Sequence, residues 1–202
     1  QTMGLALLSN HTLDNLESWA KTYFSDIKNR NLDRTVHDPE VFTKKETTRI
    51  VQIDPVKDIR DLQLFFPISG TRDMYQSKPG RQMGFILGHE GKGSLLSFLK
   101  EKGWATSLSA GAGSDTKEYG RASVKIGLTE QGLKDYEEVL MATVDYIRLM
   151  KSAGYQEHVF NELKTMAELE YVYGAKGEGM WRATQLANEA MMYPLENVGK
   201  IN

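Results

Sequence analysis

The sequence contains no cysteine, and this absence excludes disulfide bonds, thiolate metal sites and a cysteine nucleophile. The chain also lacks a strong excess of either charge, since its formal net charge is -2. No overall field therefore points to nucleic acid or to an anionic membrane as a partner. No apolar run approaches the ~18 residues that a membrane-spanning helix requires. We expect neither nucleic acid nor membrane among the partners.

The composition is that of a globular domain, because 40% of the 202 residues are hydrophobic and 26% are charged. The chain is long enough for one domain or for one domain with part of another. It begins inside the apolar run QTMGLALLSN and stops at YPLENVGKIN, just after a turn signal. These two ends predict a piece of a longer protein.

The N-terminal part predicts one strand and one helix. Met3–Leu8 is a short apolar run, and Thr12 can cap a following helix whose apolar residues recur at helical spacing. Residues 30–47 are polar and contain a proline, which is typical of a linker. The predicted organisation is therefore a strand–helix piece over 1–29, a linker over 30–47 and a second domain over 48–202.

Within the second domain, strands come in pairs between helices. The predicted strands are Thr48–Ile53, Asp58–Ser69, Trp104–Ser109 and about Ala122–Leu128, with a flexible glycine-rich loop after Ser109. The predicted helices are about 80–87, 94–102, a long one capped by Thr129, 157–173 and 178–192. This order predicts an α+β fold, a mostly antiparallel sheet with helices packed on one face.

The stretch GHEGKGS, residues 88–94, contains residue types used in phosphate loops. A Walker A loop needs G-x-x-x-x-G-K-[ST], so that lysine and hydroxyl meet phosphate and Mg²⁺ together. Lys92 follows Gly91, but Gly93 stands where Ser or Thr is required and Ile86 where the first glycine is required. The spacing rejects a nucleotide site.

The chain's four histidines do not form a metal motif. His11, His37, His89 and His158 occur in neither HExxH nor HxxEH, the helical spacings that place two histidines and a glutamate around zinc. Spacing alone leaves Ser-His-Asp chemistry open, but no G-x-S-x-G elbow is present. We therefore predict no catalytic residue and no metal ligand in this chain.

What remains for GHEGKGS is a backbone role. Three glycines permit a tight path, free of side chains, between two helices. The same path admits a peptide backbone close by, and Trp104–Ser109 could template an extended peptide by strand addition.

Several segments together resemble the insulinase/pitrilysin family of zinc metallopeptidases. The most specific is GHEGKGSLLSFLKEKGW, ending at Trp104 and followed by SLSAG. MGLALL, HTLDNLE, PVKDIRDL, FFPI, LTEQGL and YPLENV agree with the family as well, so the resemblance covers nearly the whole chain.

The resemblance implies a parent zinc metalloendopeptidase built from homologous α+β domains that enclose a substrate chamber. Its zinc is held by an HxxEH helix in the first domain, which has no counterpart in this chain. The chain then corresponds to the end of the first domain and most of the second, non-catalytic one. The implied partners are peptide substrates and the remaining domains of the parent protein. The residues leave the compartment open, and the resemblance alone suggests the bacterial periplasm.

In insulin-degrading members of the family, a matching turn and strand form an exosite that anchors the N-terminal end of the substrate. The residues that match here are Gly88, Glu90, Leu108, Ser109 and Ala110.

The chain departs from those members at three positions of this exosite. They have glycine at the position of Ala110 and histidines at those of Arg81 and Phe85. The alternative interpretation is a catalytically inactive scaffold or peptide-binding subunit of a related complex.

Overall fold

A computed structural model describes residues 3–33, 35–36, 42–114, 116–175 and 177–201. The chain divides into two compact units, one formed by Gln1–Val36 with Met166–Asn202 and the other by His37–Thr165. The predicted boundaries at 29/30 and 47/48 remain a prediction.

The helices follow the predicted order. They are α1 (Leu13–Phe24), α2 (Lys44–Thr47), α3 (Pro79–Leu87), α4 (Leu95–Glu101), α5 (Glu130–Lys134), α6 (Tyr136–Ala153), α7 (Glu157–Tyr173) and α8 (Gly179–Met192). The strands are β1 (Asp61–Ser69), β2 (Ala105–Ser114) and β3 (Tyr119–Leu128). In the described part of the chain, no helix is long and apolar enough to cross a membrane.

The three strands form one antiparallel sheet in the order β1-β3-β2. Val124 on the central strand lies opposite Leu64 on β1 and Ala110 on β2. Alternate residues of β3, from Ala122 to Leu128, are buried, as strand geometry requires when one face is covered. The α+β fold with an antiparallel sheet is confirmed.

One face of the sheet forms the core of this unit. Helix α4 contributes Leu95, Leu96 and Leu99, and α6 contributes Val139, all almost fully buried. Burying side chains of this size stabilises a fold by about 1.5–3 kcal/mol each. On the opposite face, Gln63, Phe65, Arg121, Lys125 and other side chains are exposed. The helices therefore cover one face only.

Helix α3 lies against β2 at backbone distance. A Cβ atom at Gly80 would lie 2.7 Å from the Ala112 carbonyl oxygen, and one at Gly84 would lie 3.2 Å from that of Ala110. The loop predicted after Ser109 is wrong, because residues 110–114 belong to β2. The small residues that suggested flexibility instead let a helix approach the strand.

Two predicted strands are absent. Thr48–Ile53 alternates like a strand, but it has no ladder partner in the described ranges, and Ile50, Val51 and Ile53 are 70–81% exposed. Met3–Leu8 also lacks regular structure; there Gly4 packs against the Ala187 main chain of α8. Alternation marks a two-faced segment, but a strand also needs a hydrogen-bonded neighbour.

The long helix expected after Thr129 is interrupted at Asp135. Thr129 caps α5, its hydroxyl accepting from the Gly132 N–H at 2.9 Å. The Asp135 carboxylate accepts from the Trp104 indole N–H at 2.9 Å and from Gln131 at 2.7 Å. Asp135 takes a non-helical conformation (φ -100°, ψ 29°) between α5 and α6. Its side chain thereby ties the helix junction to the start of β2.

In the other unit, a buried carboxylate on α8 accepts a hydrogen bond from the segment that follows this helix. Glu189, 7% exposed, accepts the Gly199 N–H at 2.7 Å and the Gln185 amide at 2.8 Å. Gly199 has φ +81°, a conformation that favours glycine. Glu189 is thus satisfied by hydrogen bonds, as a buried charged group must be.

We predict that Gly80→Ala lowers the free energy of unfolding by about 1–3 kcal/mol, because the added methyl would meet the Ala112 carbonyl. At a helix position with open space around it, Gly→Ala raises the free energy of unfolding by about 0.5–1 kcal/mol. The clash at Gly80 therefore reverses the sign of the effect. Urea denaturation measures the difference. The control is Gly113→Ala on β2, where a Cβ has open space. An increase in stability for Gly80→Ala would contradict the close contact.

Candidate functional site

The GHEGKGS stretch is the connection between α3 and α4. The Gly88 N–H donates to the Gly84 carbonyl at 2.8 Å and ends α3. His89 Nδ1 then accepts the Gly91 N–H at 3.0 Å, and Gly93 has φ +84°. Residues 88–94 therefore form an ordered turn between two helices, and its histidine is occupied by a main-chain hydrogen bond.

Ser94 closes this turn and begins α4. Its hydroxyl accepts the Ser97 N–H at 3.1 Å, the typical N-cap geometry, and the residue is only 3% exposed. The next residues, Leu95 and Leu96, are in the core. The turn is consequently anchored at its end by a buried cap and two buried side chains.

The structure brings Gly88 beside Ala110. A Cβ atom at Gly88 would lie 3.7 Å from the Ala110 nitrogen. Helix α3 follows β2 from Ala112, next to Gly80, to Ala110, and the helix ends there. The turn that carries Glu90 therefore lies where the helix stops covering the strand.

Of the three strand residues of the predicted exosite, Leu108 and Ala110 lie on the core face of β2 and Ser109 lies on the outer face. Leu108 is buried in the core, Ser109 is exposed on the outer face, and Ala110 is half-buried beside α3. Because the Leu108 side chain is committed to the core, this residue can meet a ligand only through its main chain.

Glu90 is exposed and forms no hydrogen bond or ion pair with other residues of the described part of the chain. A carboxylate of this kind is available to a cation such as a peptide α-ammonium.

On α3, Arg81 is exposed, and the half-buried Phe85 ring packs edge-on against His89 with centroids 6.1 Å apart. Burial, together with the charge of Arg81, lowers the pKa of Lys78 at the start of α3. The helix thus starts at the cationic residues Lys78 and Arg81, and the turn after it carries both Glu90 and Lys92.

The histidines do not gather into a metal site. In the described ranges, no group of three or more His, Cys, Asp or Glu side chains could hold a metal ion. His11 packs on Trp19 with ring centroids 4.9 Å apart, His158 is exposed on α7, and His37 lies outside the described residues. The metal-ligating side chains in this part of the chain are too dispersed to hold zinc.

Sequence reasoning missed the role of Gly80 and Gly84. With Gly88 they recur every fourth residue, which places all three on one face of α3. That spacing was a readable signal for close packing of a helix backbone.

Comparison with known proteins agrees with the family resemblance of the sequence. Residues 1–167 match the family described as Peptidase M16 inactive domain. The chain is 32% identical over 92% of its length to the A-factor-processing enzyme of Saccharomyces cerevisiae, and 32% identical over 97% to the insulin-degrading enzyme of Homo sapiens. It spans 18% and 19% of those two proteins. The crystal structure of pitrilysin matches 94% of the chain, and the chain spans 20% of it, with a TM-score of 0.74 at 20% identity.

We predict that Ser94→Ala lowers the free energy of unfolding by about 1–2 kcal/mol, since a buried N-cap is lost and the Ser97 N–H loses its acceptor. Chemical denaturation measures the loss, and hydrogen exchange at the Ser97 amide should accelerate. Ser109→Ala, on the exposed face of β2, is the matched control and should change stability by less than about 0.5 kcal/mol. Equal stability of the two variants would show that the cap does not hold the turn.

Proposed function

Because the chain belongs to the M16 peptidase family, in the part described as its inactive domain, we propose that it is a non-catalytic segment of a zinc metalloendopeptidase. In this proposal it forms part of the wall of a substrate chamber and anchors peptide N-termini. Its partners are peptide substrates and the remaining domains of the parent protein. The zinc belongs to the parent enzyme and is bound outside this chain, whose described residues do not fit it.

The observation that carries the anchoring proposal is the position of the Gly88–Glu90 turn at the end of α3, beside Ala110. A peptide that enters there can place its α-ammonium near Glu90. Its backbone can then follow β2 from Ala110 through Ser109 towards the start of the strand, which lies beyond the end of α3. Side chains of such a peptide need no deep pocket, because strand addition draws affinity from main-chain hydrogen bonds.

Electrostatics limits how strong this anchor is. Glu90 is exposed, and exposed ion pairs contribute about 0.2–1 kcal/mol. The carboxylate therefore selects peptides with a free N-terminus by a modest factor and sets their register on the strand. Main-chain pairing supplies the remaining affinity.

Two peptides of one sequence, one with a free N-terminus and one N-acetylated, test the anchor on the 202-residue chain. We expect the free peptide to bind about twofold to fivefold more tightly, and Glu90→Gln to abolish this preference. Fluorescence anisotropy at low salt measures both affinities. Glu101→Gln, an exposed glutamate at the end of α4, should keep the preference. A preference unchanged in Glu90→Gln would sink the proposal.

For the non-catalytic role, the dialysed chain titrated with Zn²⁺ should bind no stoichiometric metal and should not cleave a fluorogenic peptide. The physical reason is that three or more convergent donors are needed to hold zinc, and the described residues do not supply them. Calorimetry and a cleavage assay provide the measurements. Tight binding of one zinc ion with turnover would contradict a non-catalytic role.

A further inference from the structure

His89, in the turn between α3 and α4, is held in one orientation by two contacts. Its Nδ1 accepts the Gly91 N–H at 3.0 Å, and its ring meets the Phe85 ring edge-on with centroids 6.1 Å apart. A ring nitrogen that accepts a hydrogen bond carries no proton, so the proton of the neutral imidazole is on Nε2. The bond to Gly91 is therefore specific to the neutral form of His89.

The backbone of Gly91 leaves room for this ring. A Cβ atom at residue 91 would lie 2.5 Å from His89 Cε1 and 3.2 Å from Nδ1. Glycine at this position therefore lets the imidazole reach the main-chain N–H. The resulting turn has the form that an asparagine side chain makes with the N–H two residues further on.

The imidazole bond spans Glu90, because its acceptor and donor are the residues on either side. In the described part of the chain, the neighbouring main-chain bonds lie before and after Glu90, one accepted by Ile86 and one donated by Ser94. Glycine occupies three positions of the turn and has wide conformational freedom. The bond from His89 is thus the contact that fixes the main chain around the Glu90 carboxylate.

Protonation of His89 removes the acceptor and adds a charge. Histidine is the side chain whose charge ordinarily changes between pH 5 and 8, and its charged form donates from both nitrogens. A protonated Nδ1 cannot accept the Gly91 N–H, so the turn loses the bond. The imidazolium also adds a second cation to a turn that already carries Lys92. Both effects weaken the attraction between Glu90 and a peptide α-ammonium.

Few other charged groups lie on the elements around this turn. Helix α3 contributes Arg81, and the turn itself contributes Glu90 and Lys92. Strand β2 has no titratable side chain, and α4 has charged residues only at its far end. Carboxylates, amines and guanidiniums ordinarily titrate below about pH 5 or above about pH 9. Histidine is therefore the residue type at this turn that responds between these limits.

We propose that His89 is a positioning residue for the N-terminus anchor. Its neutral imidazole holds the turn that presents Glu90, and its protonation releases the turn. The proposal rests on the anchoring role proposed for Glu90 and adds that the preference for a free peptide N-terminus falls as the pH falls. His89 acts through the main chain of Gly91 and Glu90, without touching the peptide.

The test measures binding of free and N-acetylated peptides of one sequence, free of acidic residues and histidine, to the 202-residue chain. At about pH 7.0 and about pH 5.3 the peptide α-amino group is mostly charged. We expect the twofold to fivefold advantage of the free peptide at the higher pH to fall to about 1.5-fold or less at the lower pH. Circular dichroism checks the fold at both pH values. An equal advantage at the two pH values would overturn the proposal.

Substitutions separate the nitrogen from the ring. His89→Asn supplies an oxygen that accepts the same N–H without titrating, so the advantage should persist at both pH values. His89→Phe keeps a ring without an acceptor and should show the small advantage at both. His158→Asn, at an exposed position of α7, is the control and should keep the original pH dependence. A full advantage in His89→Phe, or a strong pH dependence in His89→Asn, would contradict the role of the nitrogen.

The Gly91 amide reports on the turn without any peptide. Its NMR resonance should shift between the two pH values in the original chain and in His158→Asn, and should stay in place in His89→Asn. Gly91→Ala should displace the ring, because a Cβ atom would meet it, and should show the small advantage at both pH values.

Failure of this proposal differs from failure of the anchoring role. A Gly91 amide that does not respond to pH would overturn the role of His89. A Gly91 amide that titrates in a chain without any advantage for the free peptide at about pH 7.0 would instead contradict the anchoring role of Glu90.

Discussion

The contact on which this unit depends is the close approach of the α3 backbone to β2. Gly80 and Gly84 have no side chains to separate the helix from Ala112 and Ala110, so the two backbones meet at van der Waals distance. Because α3 is held this closely, its end falls at Ala110, and the turn to α4 starts there. The buried leucines of α4 then enter the core beside the same sheet.

The same contact makes the two edges of the sheet unequal. The part of β2 from Ala110 to Ala112 is covered by α3, and the helix ends before it reaches Ser109 and the start of the strand. Strand β1 has no such cover, but Pro67 lacks an N–H and sits at an outward position of the ladder, as proline in strands usually does. A free edge is a hazard for aggregation, and here it is bordered by the segment 46–53, which carries Arg49, and by Arg121 of β3. The two edges therefore differ in what borders them.

Sequence reasoning worked where one segment carries its own signal. Helices α7 and α8 and strand β3 have periodic apolar residues, and the structure places them close to the predicted bounds. It failed where the local structure depends on a contact with a distant part of the chain. Thr48–Ile53 alternates but pairs with no strand, while residues 110–114 look like a loop but pair with β3. Asp135 ends a helix because its carboxylate meets Trp104, a contact thirty-one positions apart.

By itself the sequence determined the α+β class, the order of elements and the absence of the spaced zinc motifs HExxH and HxxEH, since each is a matter of residue type and local spacing. It also singled out Gly88 and Glu90. Only the tertiary structure decided that Gly88 lies beside Ala110, that the Leu108 side chain is unavailable to a ligand, and that no strand of the described residues pairs with the outer edge of β1. These depend on which backbones approach each other, and backbone approach is set by packing across the whole unit.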